Sequence, residues 1–347
     1  MGVPFTRLAS QVLDAQNLKL HDQLKRKDGV IAVLGARERI TMVEGGGTNF
    51  SERLLYGQNT NIGFRGKNAE IPTADDEGLT RALVPQKTIS GSIVINRVEL
   101  SQVQGRWALG NLFSDKKKQA NTSWVQVWAD TLRQAIPGAN DPYTLLPSGT
   151  SGTINGILSP AAYASQAGST AGISRADNTW WRNGYTNTAI DISSEGGDAL
   201  LFQLLYDPIT YGAGLDEEPD FGLTNSKAFG DLGASASTKR RGSFTDQQIT
   251  KLGFRNIMYY NAAIIRDSST RFSGKIALLN TRSLAIKVLR EAGMKAVDQD
   301  NALGSVPVVV DPFQQDINSL NKVSLMHVTA GLVPMSLREQ GLADNVT

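Results

Sequence analysis

At 347 residues, 40% hydrophobic and 20% charged, the chain is long enough to bury a substantial core and has a globular rather than a disordered or fibrous composition. Its 35 basic and 33 acidic residues leave a net charge of +2, too balanced for a dedicated nucleic-acid binder. It has no cysteine, which excludes disulfides, thiolate nucleophiles and thiolate-held metals, and its 2 histidines, His21 and His327, leave little for acid–base catalysis.

No stretch approaches about 18 consecutive apolar residues, so no membrane-spanning helix is expected. The opening M-G-V-P-F-T-R-L lacks the charged start and apolar run of a secretory signal. Residues 5–27 read as an amphipathic helix or arm, with Leu8, Val12, Leu18 and Leu24 near one stripe and the turn Lys25–Gly29 closing it. Glu44-Gly45-Gly46-Gly47 breaks the pattern. Beyond it come a loosely alternating run with Leu54, Tyr56, Ile62 and Phe64, and then a polar stretch, Ile71–Gly78. Thr88–Val98 alternates cleanly, with Ile89, Gly91, Ile93 and Ile95 on one face. Two period-two runs joined by a charged loop predict a long two-stranded arm. Such a ribbon is marginal by itself in water and makes sense when it lies on another molecule.

The strongest helical pattern covers 114–136, where Trp124, Val127, Trp128, Leu132 and Ile136 recur at helical spacing. It starts near Ser114 and ends at Pro137-Gly138. Its Lys116–Lys118 run is a solvated face or a contact for a polyanion. At the middle of the chain stands Gly172–Gly184, G-I-S-R-A-D-N-T-W-W-R-N-G. The adjacent Trp180 and Trp181 have a large apolar surface and N–H donors that need partners, so they fill a core or pin a junction between two halves of the fold.

After Ser194, helices and strands alternate. Asp198–Tyr206 places Leu201, Leu204 and Leu205 on one helical face, and the strand Phe221–Thr224 leads into a helix begun by Asn225 or Ser226. Thr245–Gln248 is a capping box whose short helix closes at Leu252-Gly253. Two apolar runs follow, Asn256–Ile265 and Lys275–Leu289, and then a long strand, Ile317–Val333, apolar on both faces and so central to a sheet. The class is α+β or α/β.

Catalytic and cofactor motifs are missing. There is no G-x-S-x-G elbow, no phosphate loop ending in G-K-[ST], and no dinucleotide fingerprint at Gly45-Gly46-Gly47. His327, inside an apolar strand, reads as a residue satisfied locally, and Asp75-Asp76-Glu77 reads as a solvated loop tip. No enzyme activity, cofactor or metal is expected, although distant carboxylate pairs leave a glycan-active hydrolase as a remote alternative.

Several segments resemble the major capsid proteins of tailed bacteriophages, the Hong Kong ninety-seven-type fold. One is Gly172–Ala176 with the Trp180-Trp181-Arg182-Asn183 run. The second is Arg241–Asp246, then Gly253-Phe254, then Leu278–Leu284. The third runs from Phe313–Asp316 through Lys322–Leu332 to Arg338-Glu339-Gln340-Gly341. The likeness covers 170–341, and it departs from the usual pattern at Thr179, where proline is common, and in a longer stretch over Glu291–Pro307.

The resemblance implies an α+β capsid fold divided as an N-terminal arm (1–44), an extended β-hairpin or E-loop (45–103), a peripheral domain with a long spine helix (104–188), an axial domain (189–310) and a C-terminal return into the peripheral domain (311–347). It implies an icosahedral shell built from hexameric and pentameric capsomers around double-stranded DNA, in a virion assembled in the bacterial cytoplasm. Expected partners are copies of the same chain, a portal, scaffolding or decoration proteins, and weakly contacted DNA, with no membrane. Inter-subunit contact candidates are Arg65, Lys67, Asp75, Asp76, Glu77, Arg81, Lys87, Arg175 and Arg182. No cross-linking motif surrounds Lys67 or Lys87, so covalent cross-linking is not expected. The Trp-Trp run becomes the passage from peripheral to axial domain. The alternative within the same fold is an encapsulin-like compartment shell.

Overall fold

Asp28 caps the first described helix: its carboxylate accepts from the amides of Val30 at 3.0 Å and Ile31 at 2.9 Å. The computed structural model describes residues 28–44, 47–59, 61–64, 70, 78–98, 106–133, 169–194, 196–209, 218–238, 247–251, 253–267, 272–291, 308–315 and 321–347. The expected arm over 5–27 lies outside them. Helix α1, Gly29–Ala36, begins inside the turn that the sequence places at Lys25–Gly29. Its sequence, G-V-I-A-V-L-G-A, is apolar all round and so shows no stripe; Val30 to Leu34 are buried on every side.

The chain continues as β1 (Ile40–Val43), β2 (Asn49–Leu55), β3 (Leu79–Pro85), β4 (Lys87–Ile95) and α2 (Arg106–Arg133). Short strands β5 (Ser169–Thr170), β6 (Ile173–Ser174) and β7 (Gly184–Thr186) follow. Next come α3 (Gly197–Leu201), a π-helical turn (Phe202–Tyr206) and α4 (Asp207–Ile209), then β8 (Phe221–Thr224), α5 (Ser226–Thr238) and α6 (Gln247–Lys251). The remaining strands are β9 (Asn256–Tyr259), β10 (Ala262–Arg266), β11 (Lys275–Leu279), β12 (Leu284–Leu289), β13 (Val309–Val310), β14 (Gln314–Gln315), β15 (Lys322–Pro334) and β16 (Gly341–Asp344). The fold is α+β, as expected.

Two six-stranded sheets organise these elements. In the first, β15 is central: β12, β13, β14 and β4 all pair with it, and β1 extends the sheet beyond β12. The second has the order β7-β16-β11-β8-β10-β9. Strands β8 and β11 of the second sheet are almost wholly buried, because one face meets the core shared with α1 and the first sheet and the other meets α3 and α5.

Four expectations change. The alternating run at Thr88–Val98 is not the ribbon's second strand; as β4 it pairs with β15 from Lys87↔Ala330 to Ile95↔Lys322. Leu79–Pro85 pairs with β2 instead. Alternation identified the buried face of β4 correctly, since Ile89, Ile93 and Ile95 are buried, but alternation does not name a pairing partner. The long helix α2 begins at Arg106, ahead of Ser114, and its 28 residues extend about 42 Å. Trp124, Trp128 and Leu132 form its buried stripe at i+4 spacing, which leaves Val127 at the stripe's edge and 41% exposed. The run 256–265 is a hairpin turned at Tyr260, whose φ is 51°. The run 275–289 is two strands in different sheets, so β12 belongs with the first sheet rather than with the remainder of 189–310. Elsewhere Asn225 caps α5 through the Ala228 amide at 2.8 Å, and Gly253, at φ 88°, closes α6; Thr245 lies outside the described residues.

The chain passes from the second sheet to the first at Asn280, and from the first back to the second at Gln340. These crossings are tied together. The Gln340 side chain, fully buried, accepts from the Asn280 amide at 3.0 Å and donates to the Asn280 carbonyl at 3.1 Å and Ser283 Oγ at 2.7 Å. Its own carbonyl accepts from Gly184 at 2.8 Å, which brings in β7. Gln340→Ala strands these groups away from water, so we expect a loss of about 2–4 kcal/mol in denaturant unfolding. Gln340→Met, which preserves shape, is expected to recover less than half of it.

Candidate assembly surfaces

Strands β2 and β3 form a ribbon with two different faces. Phe50, Leu54, Ala82 and Val84 are buried, and Phe50 and Val84 close over Gly331 of β15. Glu52, on the same side, forms an ion pair with Lys287 of β12. The opposite face brings Arg53 against Arg81 and Leu55 against Leu79 in direct cross-strand register. Like charges directly opposite one another weaken a ribbon, so this face suits a surface that supplies acidic groups. Leu55 and Leu79 are 77% and 73% exposed, and Ile62 and Phe64 in the connecting loop are more exposed still. A concentration of large apolar side chains on one exposed face and its loop marks an interaction surface.

The central loop holds this ribbon in place. Ala171 and Gly172 both have positive φ, 53° and 80°, and between β5 and β6 they turn the Ala171 carbonyl to accept the Leu83 amide at 2.7 Å. Trp181 is buried and donates its indole N–H to the Thr170 carbonyl at 3.0 Å. Trp180 stacks on Tyr56, with ring centroids 5.0 Å apart and planes 14° apart, and donates to Asn178 at 3.1 Å. One tryptophan fills the core and its neighbour clamps the ribbon where it leaves the body.

A second aromatic group, mostly buried, lies by the other sheet. Phe202, Tyr206, Tyr259 and Tyr260 form a chain of ring contacts around the π turn, and Tyr260 is 47% exposed. Burial of the Tyr206 phenol, reinforced by the Glu218 carboxylate that it donates to at 3.2 Å, pushes its pKa up to about 12. The folded state therefore holds this proton more tightly than the unfolded chain does.

The sequence candidates scatter. Arg65, Lys67, Asp75, Asp76 and Glu77 lie outside the described residues. Arg81 is on the ribbon's exposed face, and Lys87 is half-buried in β4 opposite Ala330. Arg175 is buried and donates to Asn183, while Arg182 donates to the carbonyls of Arg175 and Ala176, each at 2.6 Å. These two arginines brace their own loop. Sequence reasoning missed Arg53, Leu55 and Leu79, whose importance rests on the β2–β3 register. His327 bonds Glu291 at 2.8 Å, so its ring is satisfied locally. His21 lies outside the described residues. Among the described residues no cluster of histidine or carboxylate side chains forms a metal site, and no helix is long and apolar enough to cross a membrane.

Trp180→Ala removes the stack on Tyr56 and is expected to cost about 1 kcal/mol while speeding amide exchange in β2 and β3 more than in β15. Trp181→Ala is expected to cost about 3–5 kcal/mol and to loosen both alike. For Tyr206, stability is complete below pH 10 and declines as pH rises toward about 12. Tyr206→Phe removes that part of the alkaline decline in a pH series of melting temperatures.

Neither a protein-family model nor a curated protein sequence matches the chain. Solved structures do. The capsid chain of cyanophage A-1(L) superposes with a TM-score of 0.62 over 96% of this chain and 97% of that one, at 16% identity. The capsid of a native GTA particle gives 0.54 over 100% of both chains, at 12% identity. The encapsulin SrpI of Synechococcus elongatus PCC 7942, in its holo complex, gives 0.52 over 98% and 95%, at 12% identity. The chain has the fold of the tailed-phage capsid proteins, which it shares with an encapsulin shell.

Proposed function

We propose that this chain is the major capsid protein of a tailed bacteriophage, a structural protein whose copies assemble through hexameric and pentameric capsomers into an icosahedral shell around double-stranded DNA. The observation that supports it most is the ribbon. It is fixed to its own body at the base, while its outer face and loop expose Leu55, Ile62, Phe64 and Leu79 on a capsid fold. A lone soluble protein has no use for that surface, whereas a subunit that overlaps its neighbour does. Ring closure needs heterologous contacts, in which one patch meets a different patch on the next copy.

In this reading β2–β3 is the extended loop, the first sheet with α2 is the peripheral domain, and the second sheet with its helices is the axial domain. The work is mechanical, not enzymatic. The near-neutral charge suits a wall that contacts packaged DNA weakly, the virion is the site of function, and a portal with scaffolding or decoration proteins completes the partners. An encapsulin-like shell is the second reading, favoured by the likeness to SrpI.

Expression of the chain, with a scaffolding partner where one is required, is expected to give rings or shells by negative-stain microscopy and sedimentation. A stable monomer under all assembly conditions overturns the proposal. Ile62→Ser with Phe64→Ser is expected to leave the subunit's melting temperature within about 2 °C, because both side chains are exposed, while shells fail to form. Particles from infected cells that contain enzyme cargo and no DNA would favour the encapsulin reading.

A further inference from the structure

Strand β4 is an edge of the first sheet, and a long one. Among the described residues it pairs with β15 alone, and no other backbone hydrogen bond reaches Lys87–Ile95. In an antiparallel pair every second residue turns its N–H and C=O away from its partner. The nine residues of β4 therefore present a row of such groups about 30 Å long. Exposed edges are ordinarily kept short, broken by a bulge or proline, or charged. β4 has none of these: its register is unbroken from Lys87↔Ala330 to Ile95↔Lys322, and Thr88–Ile95 contains no proline and no charge.

Gly91, at the centre of the strand, is an independent sign. Glycine inside a strand marks a bulge, a bend or the close approach of another backbone. The register shows no bulge, and Gly91 is not among the glycines with positive φ. A Cβ at this position would meet Trp124 of α2 at 3.6 Å, an ordinary contact. The subunit's own packing thus leaves room for alanine, and the approach of a further strand is the reason that remains.

The sequence of β4 selects that strand. Laid antiparallel on a second β4 about Gly91, it sets Gly91 opposite Gly91, Ile89 opposite Ile93, Ser90 opposite Ser92, Thr88 opposite Val94 and Lys87 opposite Ile95. The face with Ile89, Ile93 and Ile95, buried in the subunit, stays on one side of both strands, and the exposed Thr88, Ser90, Ser92 and Val94 stay on the other. The two Lys87 side chains fall at opposite ends, so no like charges meet.

We propose that β4 pairs with β4 of a second copy across a two-fold axis at Gly91, joining the first sheets of two subunits into one. This contact is isologous, unlike the heterologous contacts that close a ring, and in a shell it joins one ring to the next. The pairing itself does not rest on the capsid reading.

The test is sedimentation of the full chain across a dilution series, with amide exchange followed in β4. The wild type is expected to form dimers, and the β4 amides that face away from β15 are expected to exchange more slowly as dimers fill. Ser90→Lys with Ser92→Lys places lysines opposite one another twice and is expected to weaken the dimer at least fivefold. Ser90→Lys with Ser92→Glu places opposite charges together in the same register and is expected to hold it within twofold of the wild type. Both pairs of side chains are exposed, so melting temperatures are expected to stay within about 2 °C; should a variant fail to fold, amide exchange in the wild type decides. A monomer at every concentration, dimers that leave β4 exchange unchanged, equal effects of the two variants, or β4 protection that requires a different protein each overturns the proposal. Dimers that never proceed to rings or shells uphold this contact and count against the capsid reading, whereas shells that form equally from the Lys–Lys variant overturn this contact alone.

Discussion

The constraint on which this architecture depends is the hydrogen-bonded contact between Gln340 and Asn280. A chain that builds two sheets and moves between them must break its strand pairing at each crossing, and each break leaves backbone groups that water cannot reach. Here the two crossings satisfy one another. Gln340 serves the amide and carbonyl of Asn280, Asn280 caps the turn Thr281–Ser283 through the Arg282 amide at 2.9 Å, and Glu339 accepts from the Asn280 side chain at 2.8 Å. Thr281, next in line, engages Asp220 and through it Arg37 at the end of α1. Polar groups this deep give little net stability when satisfied and cost much when they are not, so the contact specifies the arrangement more than it strengthens it.

The second organising feature is the contrast between neighbouring tryptophans. Trp181 is buried with its N–H satisfied, and Trp180 lies at the boundary, stacked on Tyr56. Identical side chains one position apart point to different jobs because the 3₁₀ turn Thr179–Trp181 sends successive residues in different directions. Arg182 stiffens the loop by donating to the carbonyls of Arg175 and Ala176, and Arg175 by donating to the Asn183 side chain, so the clamp on the ribbon rests on a braced support.

Much of this was legible in the sequence, for identifiable reasons. The central position of β15, the caps at Asn225 and Gly253, and the α2 stripe follow from local periodicity and turn chemistry. In the sequence the Trp180-Trp181 run reads as a core filler or a pinned junction, and only the fold shows Trp181 in the core and Trp180 on Tyr56 of the ribbon. What stayed hidden depends on non-local pairing. Nothing in Thr88–Val98 distinguishes β15 from β2 as its partner, and nothing in Lys275–Leu289 marks Asn280 as a change of sheet. Helix α1 escaped because an element buried on all sides has no polar face to give it a period. The Arg53–Arg81 juxtaposition exists only once the register is known.

Strands β2 and β3 are held along their whole length: Phe50 and Val84 sit on Gly331, Glu52 pairs with Lys287, the Leu83 amide bonds the Ala171 carbonyl, and Tyr56 at the loop end stacks on Trp180. The ribbon therefore moves with the first sheet as one body. A change in the angle at which its outer face meets another surface has to be taken up by rotating the whole subunit, because swinging the strands alone would expose Phe50, Ala82 and Val84 to water.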